Sequence, residues 1–163
     1  MGTFREYLDK KLKPSDLEKE RKKYLGRIGE VFDADVVVYA ARLTALPPNV
    51  QLPVGIMYED LLPFSDLLSG LKKDRVVVIL ETPGGSGETA RDMVELLHQR
   101  FKHVTFVVPG TAKSAGTIMA LGGHEILMGL ESSLGPIDAQ IMQSGGKQFS
   151  ADALLEGFNR VKK

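Results

Sequence analysis

The sequence predicts an α/β domain built on a mainly parallel central sheet. Apolar runs at residues 35–41, 76–81 and 104–108, with a shorter one at 125–128, have the near-continuous pattern of strands buried in a parallel sheet. Between them lie segments whose apolar residues recur at helical spacing. Two turns, Thr82-Pro83-Gly84-Gly85 and Pro109-Gly110, close strands and lead into helices. The alternation of strand, helix, strand, helix, strand implies right-handed crossovers between parallel neighbours.

Residues 14–31 read as the first helix, with Ser15 as N-cap and Glu18 at capping-box spacing. Leu17, Arg21, Tyr24, Leu25, Ile28 and Val31 mark a narrow stripe amid many charges, and Gly26 and Gly29 weaken the helix near its end. Such a helix lies on the domain surface or acts as an arm that grips a neighbouring subunit. The chain therefore divides into an N-terminal amphipathic helical arm, 1–31, and an α/β domain, 32–163.

The first strand spans 35–41. Pro47, Pro48 and Pro53 make 46–53 a loop or an edge connection, since proline cannot donate to a central ladder. Residues 58–65 lead into a short helix with Leu61, Leu62, Leu67, Leu68 and Leu71 as its apolar members, and Lys72-Lys73-Asp74 is a polar turn. After the second strand and its Gly84-Gly85 turn, Ala90, Met93, Val94, Leu97 and Phe101 trace a clear helix. The third strand, a helix of small residues opened by Ser114, and the strand at 125–128 follow. Residues 130–141 read as an irregular loop with one short extended piece, 143–146 as a turn, and 150–161 as a last amphipathic helix with Ser150 as N-cap.

With 163 residues, the chain suits one domain. Lys+Arg and Asp+Glu both number 21, so no excess of positive charge argues for a nucleic-acid partner. The absence of cysteine removes disulfides, thiolate metal sites and cysteine nucleophiles. No apolar run approaches a membrane span, and the charged first residues lack a signal-peptide core, so a cytoplasmic location is expected. The Gly84-Gly85-Ser86-Gly87 run lacks the spacing of a dinucleotide loop and has no P-loop lysine, so no nucleotide, metal or redox cofactor is implied.

Ser114 stands between a strand and a helix and is followed by Ala115 and Gly116. Small residues there let a substrate backbone approach, and the free N–H groups of the helix start point at whatever the hydroxyl attacks. That pattern suits a nucleophile with half an oxyanion hole. The same position also suits a plain helix N-cap. The Gly84-Gly85 turn offers a second set of backbone donors. Placed beside Ser114 at neighbouring strand ends, it would complete the hole.

Three segments together, Thr82-Pro83-Gly84-Gly85, Lys113-Ser114-Ala115-Gly116-Thr117 and Leu134-Gly135-Pro136-Ile137-Asp138-Ala139-Gln140, resemble the serine dehydrogenase proteinase family of the Clp protease/crotonase superfamily. That family is related to the signal peptide peptidase A type serine peptidases. The resemblance runs from about residue 21 to 141. It implies a Clp/crotonase-like superhelix of ββα units with the active site where successive turns meet. It also implies Ser114 as nucleophile, Gly84 or Gly85 and Ala115 as oxyanion donors, a peptide or protein substrate, and assembly into homo-oligomers. Family members are longer than this chain, which leaves open a C-terminally shortened domain.

Asp138 lies in the segment where Clp-type peptidases carry their histidine, and no histidine stands there. His98 and His124 sit near the far ends of helices that start at the active turns, about 15 Å away by helix rise, and His103 opens a strand at the opposite end. A lysine base, as in the signal peptide peptidase A type enzymes, is the next expectation. Lys147, after a Gly-rich turn, and Lys113, beside the serine, are the candidates, with Asp138 as an orienting group. A base from another subunit or from beyond residue 163 completes the alternatives. Two rival functions stand beside the peptidase: a non-catalytic oligomeric scaffold of the same fold, and a crotonase-like acyl-CoA enzyme.

Overall fold

The computed structural model describes residues 13–41 and 54–137, together with the backbone of two short strands at 140–142 and 148–150. In chain order the elements are α1 (Pro14–Phe32), β1 (Asp35–Ala40), a 3-10 turn (Tyr58–Asp60), α2 (Leu61–Ser69), β2 (Arg75–Glu81), α3 (Gly87–Arg100), β3 (His103–Val108), β4 (Thr111–Ala112), α4 (Ala115–Leu121), β5 (Glu125–Met128), β6 (Ser133–Leu134), β7 (Gln140–Met142) and β8 (Gln148–Ser150).

The apolar runs form one parallel sheet in the order β1-β2-β3-β5. One cross-strand row runs Val37, Val78, Phe106, Ile126. On β2 and β3 the alternate residues Val76, Val78, Leu80 and Val104, Phe106, Val108 are buried against Phe64 and Leu68 of α2, Met93 and Leu97 of α3, and Met119 and Ala120 of α4. These side chains supply the burial that holds the helices in place, each contributing about 1.5–3 kcal/mol when fully covered. The helices thereby acquire fixed positions over the sheet, and their first turns gather at its C-terminal edge.

A second, smaller sheet lies beyond the ends of the main strands. Gly85 bridges Ile56, Thr82 bridges Ala112, and β4 pairs in parallel with β6. β2, β3 and β5 are thus each followed by a short extended piece before the chain goes on. This strand–strand–helix repeat is the ββα architecture. The two-residue strand β4 was not predicted, because so short a piece carries no periodicity to read, whereas β6 falls within 130–141, where a short extended piece was expected.

α1 agrees with its predicted bounds but not with its cap. The N-cap is Lys13, not Ser15. Pro14 takes the first helical position, where its missing N–H is no loss, and the Lys13 N–H donates back to Asp16 Oδ2 at 3.3 Å. None of the residues of α1 is fully buried, and it packs chiefly on β1. The region after Gly135 differs more. β7 and β8 form an antiparallel pair, so Ser150 ends a strand. The predicted turn at 143–146 and the helix expected beyond Ser150 lie outside the described residues.

Candidate active site

Among the described residues only two non-glycines, Asp33 and Ser114, have positive φ. Asp33 ends α1 in ordinary left-handed geometry at φ 45°, ψ 51°. Ser114 is different, at φ 50° and ψ −118°. Such sparsely populated backbone costs about 1–3 kcal/mol and persists only where the surroundings enforce it. The enforcement is visible. The Lys113 N–H donates to the Thr82 carbonyl at 3.1 Å, and the Lys113 carbonyl accepts from Gly116 N–H at 2.8 Å. The Ser114 carbonyl accepts from Thr117 N–H at 2.8 Å and Ile118 N–H at 3.2 Å. The chain is therefore clamped on both sides of the serine.

Ser114 occupies the N-cap position of α4, yet its hydroxyl makes no capping bond. A strained, half-buried serine whose hydroxyl has no partner among the described residues, at a strand-to-helix turn, has the form of a nucleophile elbow. Gly116 keeps the helix close behind it, because a Cβ there would collide with the Thr82 methyl. The first helical amide, Ala115 N–H, has no acceptor among the described residues.

The Gly84-Gly85 turn lies directly against Ser114. Gly84 has φ 110° and Gly85 φ 143°, and a Cβ on Gly84 would fall 2.7 Å from the Ser114 Cβ. The two amides are not equivalent. Gly84 N–H donates to the buried Thr82 hydroxyl at 3.2 Å. Gly85 sits in a parallel bridge in which Ile56 N–H donates to the Gly84 carbonyl at 2.7 Å and Ser86 N–H donates to the Ile56 carbonyl at 2.9 Å. In such a bridge the N–H of the middle residue faces away from the partner strand. Gly85 N–H therefore turns from Ile56, and it has no acceptor among the described residues.

The outer wall is held in turn. The Tyr39 hydroxyl donates to Asp60 Oδ2 at 2.7 Å, and Met57 N–H donates to the same oxygen at 2.9 Å. Partial burial, then the Asp60 hydrogen bond and charge, push the Tyr39 phenol well above its ordinary range. The clip fixes the segment at Ile56 that bridges to Gly85.

Lys113 does not lie idle beside the serine. Its ammonium donates to Ser133 Oγ and to the Leu134 carbonyl, both at 2.9 Å, and so ties the start of α4 to β6. Asp138 and Lys147 lie outside the described residues. The three histidines meet at the other end of the sheet. The His124 ring lies 4.9 Å from that of His98 and 5.1 Å from that of His103. His98 Nε2 is 2.7 Å from the Gly122 carbonyl, and His124 Nδ1 accepts from Val104 N–H at 3.1 Å. Burial, then the charges of His98 and His103, hold His124 below its ordinary pKa. The length of β3 alone separates this cluster from the serine by about 15–20 Å. Among the described residues no group of His, Asp or Glu is placed to hold a metal ion.

Sequence reasoning missed the hydroxyls of Thr82, which receives the Gly84 N–H within its own turn, and of Thr117, which ties the Ser114 segment to Gly135. Thr117 Oγ1 lies 2.7 Å from the Ala112 carbonyl and 3.0 Å from Gly135 N. The only signal was a threonine inside a run of small residues.

With this geometry in place, a family model described as ClpP-like SDH-type serine proteinase matches residues 8–161. The chain is 31% identical to the uncharacterized protein MJ1495 of Methanocaldococcus jannaschii over 83 residues, 51% of this chain and 27% of that protein. It is 35% identical to the uncharacterized protein MJ0137 of the same organism over 72 residues, 44% of this chain and 25% of that protein. The matched stretches thus span about a quarter of those relatives. Among solved structures, a mutant of the 1510-N membrane-bound stomatin-specific protease aligns at a TM-score of 0.55 and 20% identity, over 76% of this chain and 57% of that one. That likeness concerns the fold. The ClpP protease catalytic domain of Plasmodium falciparum aligns at 0.46 and 9% identity, over 72% and 62% of the two chains.

Proposed function

The chain belongs to the family of ClpP-like SDH-type serine proteinases, and from that membership we propose that it is a serine peptidase with Ser114 as its nucleophile. The observation that carries this reading is the Ser114 turn: a backbone strained at φ 50°, clamped on both sides, with a hydroxyl that caps nothing. In the reaction a base takes the Oγ proton, and Oγ bonds to the carbonyl carbon of a peptide. The carbonyl oxygen becomes an oxyanion between Gly85 N–H and Ala115 N–H. Collapse then expels the amine with a proton from the base, and water releases the acyl group by the reverse sequence. One well-placed oxyanion donor contributes about 10²–10³ in rate. Gly85 is preferred over Gly84 because the Gly84 amide already has Thr82 as its acceptor.

In this reading Lys113 is a brace. Its Nζ is bonded to Ser133 Oγ and to the Leu134 carbonyl, which commits the side chain to holding β6. The base is then Lys147 with Asp138 as a neighbour, or a group supplied in trans. Such a lysine makes activity rise from about pH 7 to 10 as it loses its proton. The substrate is a peptide or protein bound extended, the active form is a homo-oligomer, and α1 is an arm toward a neighbouring subunit.

The test is labelling of the intact chain with an alkyl fluorophosphonate, read by intact mass, with Ser114→Ala as control. A single adduct that vanishes in the variant supports the reading. No adduct between about pH 7 and 10 removes Ser114 as a nucleophile and leaves a scaffold role for the fold.

A further inference from the structure

β4 and β6 begin as an ordinary parallel pair. Ser133 N–H donates to the Gly110 carbonyl at 2.8 Å, and Ala112 stands opposite Leu134. In a continuing ladder the next rung would run from Gly135 N–H to the Ala112 carbonyl. The Thr117 hydroxyl occupies that place. Gly135 N–H donates to Thr117 Oγ1 at 3.0 Å, and Thr117 Oγ1 donates to the Ala112 carbonyl at 2.7 Å. One hydroxyl thus satisfies both backbone groups and holds the two strands apart. Past Ala112 the first chain turns at Ser114 into α4, so the pairing does not resume.

The insertion falls two residues before Ser114. Gly135 packs against Lys113, where an added Cβ would lie 3.2 Å from the Lys113 Cα, so the inserted hydroxyl holds residue 135 directly beside the serine turn. On the other flank stands Gly85. The serine turn thus has the Gly85 segment on one side and residues 135–137 on the other, and an extended substrate backbone laid across it would meet main-chain groups.

The geometry points to Thr117 as a positioning residue of the peptide cleft: its inserted hydroxyl ends β4–β6 pairing and fixes residues 135–137 as the wall along which substrate backbone lies. This rests on the reading of Ser114 as nucleophile. Thr117 touches no reacting atom. It acts through Gly135, so it governs reagents that need the wall and spares those that do not.

The experiment compares two probes of Ser114 on the full chain: an alkyl fluorophosphonate, which needs only the serine and its oxyanion donors, and a peptidyl diphenyl phosphonate, which must also align its backbone. Thr117→Val removes the hydroxyl at nearly constant volume, and Thr117→Ser keeps it. In Thr117→Val we expect fluorophosphonate labelling within about threefold of wild type and peptidyl phosphonate labelling at least tenfold slower, with Thr117→Ser restoring the ratio. Should Thr117→Val not fold, Thr117→Ala carries the same expectation. Amide exchange at Gly135 should quicken at least tenfold in the valine variant, while Thr82, bonded to the Thr111 carbonyl, stays unchanged. An unchanged ratio, or an equal fall with both probes, overturns the role of Thr117 and leaves Ser114 standing. A wild-type chain that takes neither probe overturns both.

Discussion

The two ends of the parallel sheet differ in a way that residue types conceal. The N-terminal end holds His98, His103 and His124, the side chains most often associated with proton transfer. Yet His98 is bonded to Gly122, His124 accepts from the Val104 amide, and His103 lies 4.0 Å from the Glu125 carboxylate. The C-terminal end holds a serine, glycines, an alanine and threonines. There the backbone is strained, one hydroxyl caps nothing, and two amides lack acceptors among the described residues. The proposed chemistry lies at the end with uncommitted groups. A buried or clamped group left unbonded is costly, so it persists where a substrate completes it.

The largest effect should come from exchanging one residue at each end. Ser114→Ala is expected to abolish fluorophosphonate labelling, whereas His124→Ala should leave it within about threefold. Equal loss in both would erase the distinction between the ends. Next comes the brace. Lys113→Met removes two hydrogen bonds to β6 and should lower unfolding free energy in urea by about 1–3 kcal/mol. Labelling should survive, and its disappearance with stability intact would make Lys113 the base after all.

A smaller effect follows from the strain. Ser114→Gly places the permissive residue at positive φ, and the relief outweighs the entropy of glycine. The gain is up to about 1 kcal/mol, read as a higher Tm. A fall in Tm instead would mean that the turn is not strained. The smallest effect is at the histidine end. His124 is held below 6.5 in the fold, so the unfolded chain binds its proton first as the pH falls. Stability from this group is complete above about pH 6.5 and declines below it. Protonation at Nδ1 would also lose the Val104 bond, while Glu125 favours a charged His103 and opposes the trend. A modest Tm loss between about pH 7 and 5.5, absent in His124→Asn, is the expected result.

Much of the fold was legible. The four main strands announced themselves as apolar runs, because a strand covered on both faces has no polar side to show. Pro83 and the glycines marked where the strands stop. Ser114, Gly84, Gly85 and Ala115 stood out as small residues at strand-to-helix turns, and the Gly84-Gly85 turn does lie against Ser114. Other features were not. Lys13 displaced Ser15 as cap because Pro14 fits the first helical position better. Nothing near Lys113 in sequence reveals that its ammonium reaches Ser133 and Leu134, twenty residues on. The histidines, scattered over a helix end and two strand starts, were read singly.

The sequence by itself determined the alternation of strands and helices, the places where the backbone must turn or come close, and membership of the serine proteinase family. These rest on local rules: side-chain periodicity, proline's missing donor, and the room that only glycine leaves. Tertiary structure alone decided which amide stays free, which hydroxyl separates β4 from β6, and that Lys113 braces a strand. Each depends on the direction in which a group points once segments far apart in the chain pack together. A hydrogen bond is directional over a few ångströms, and sequence spacing does not carry that direction.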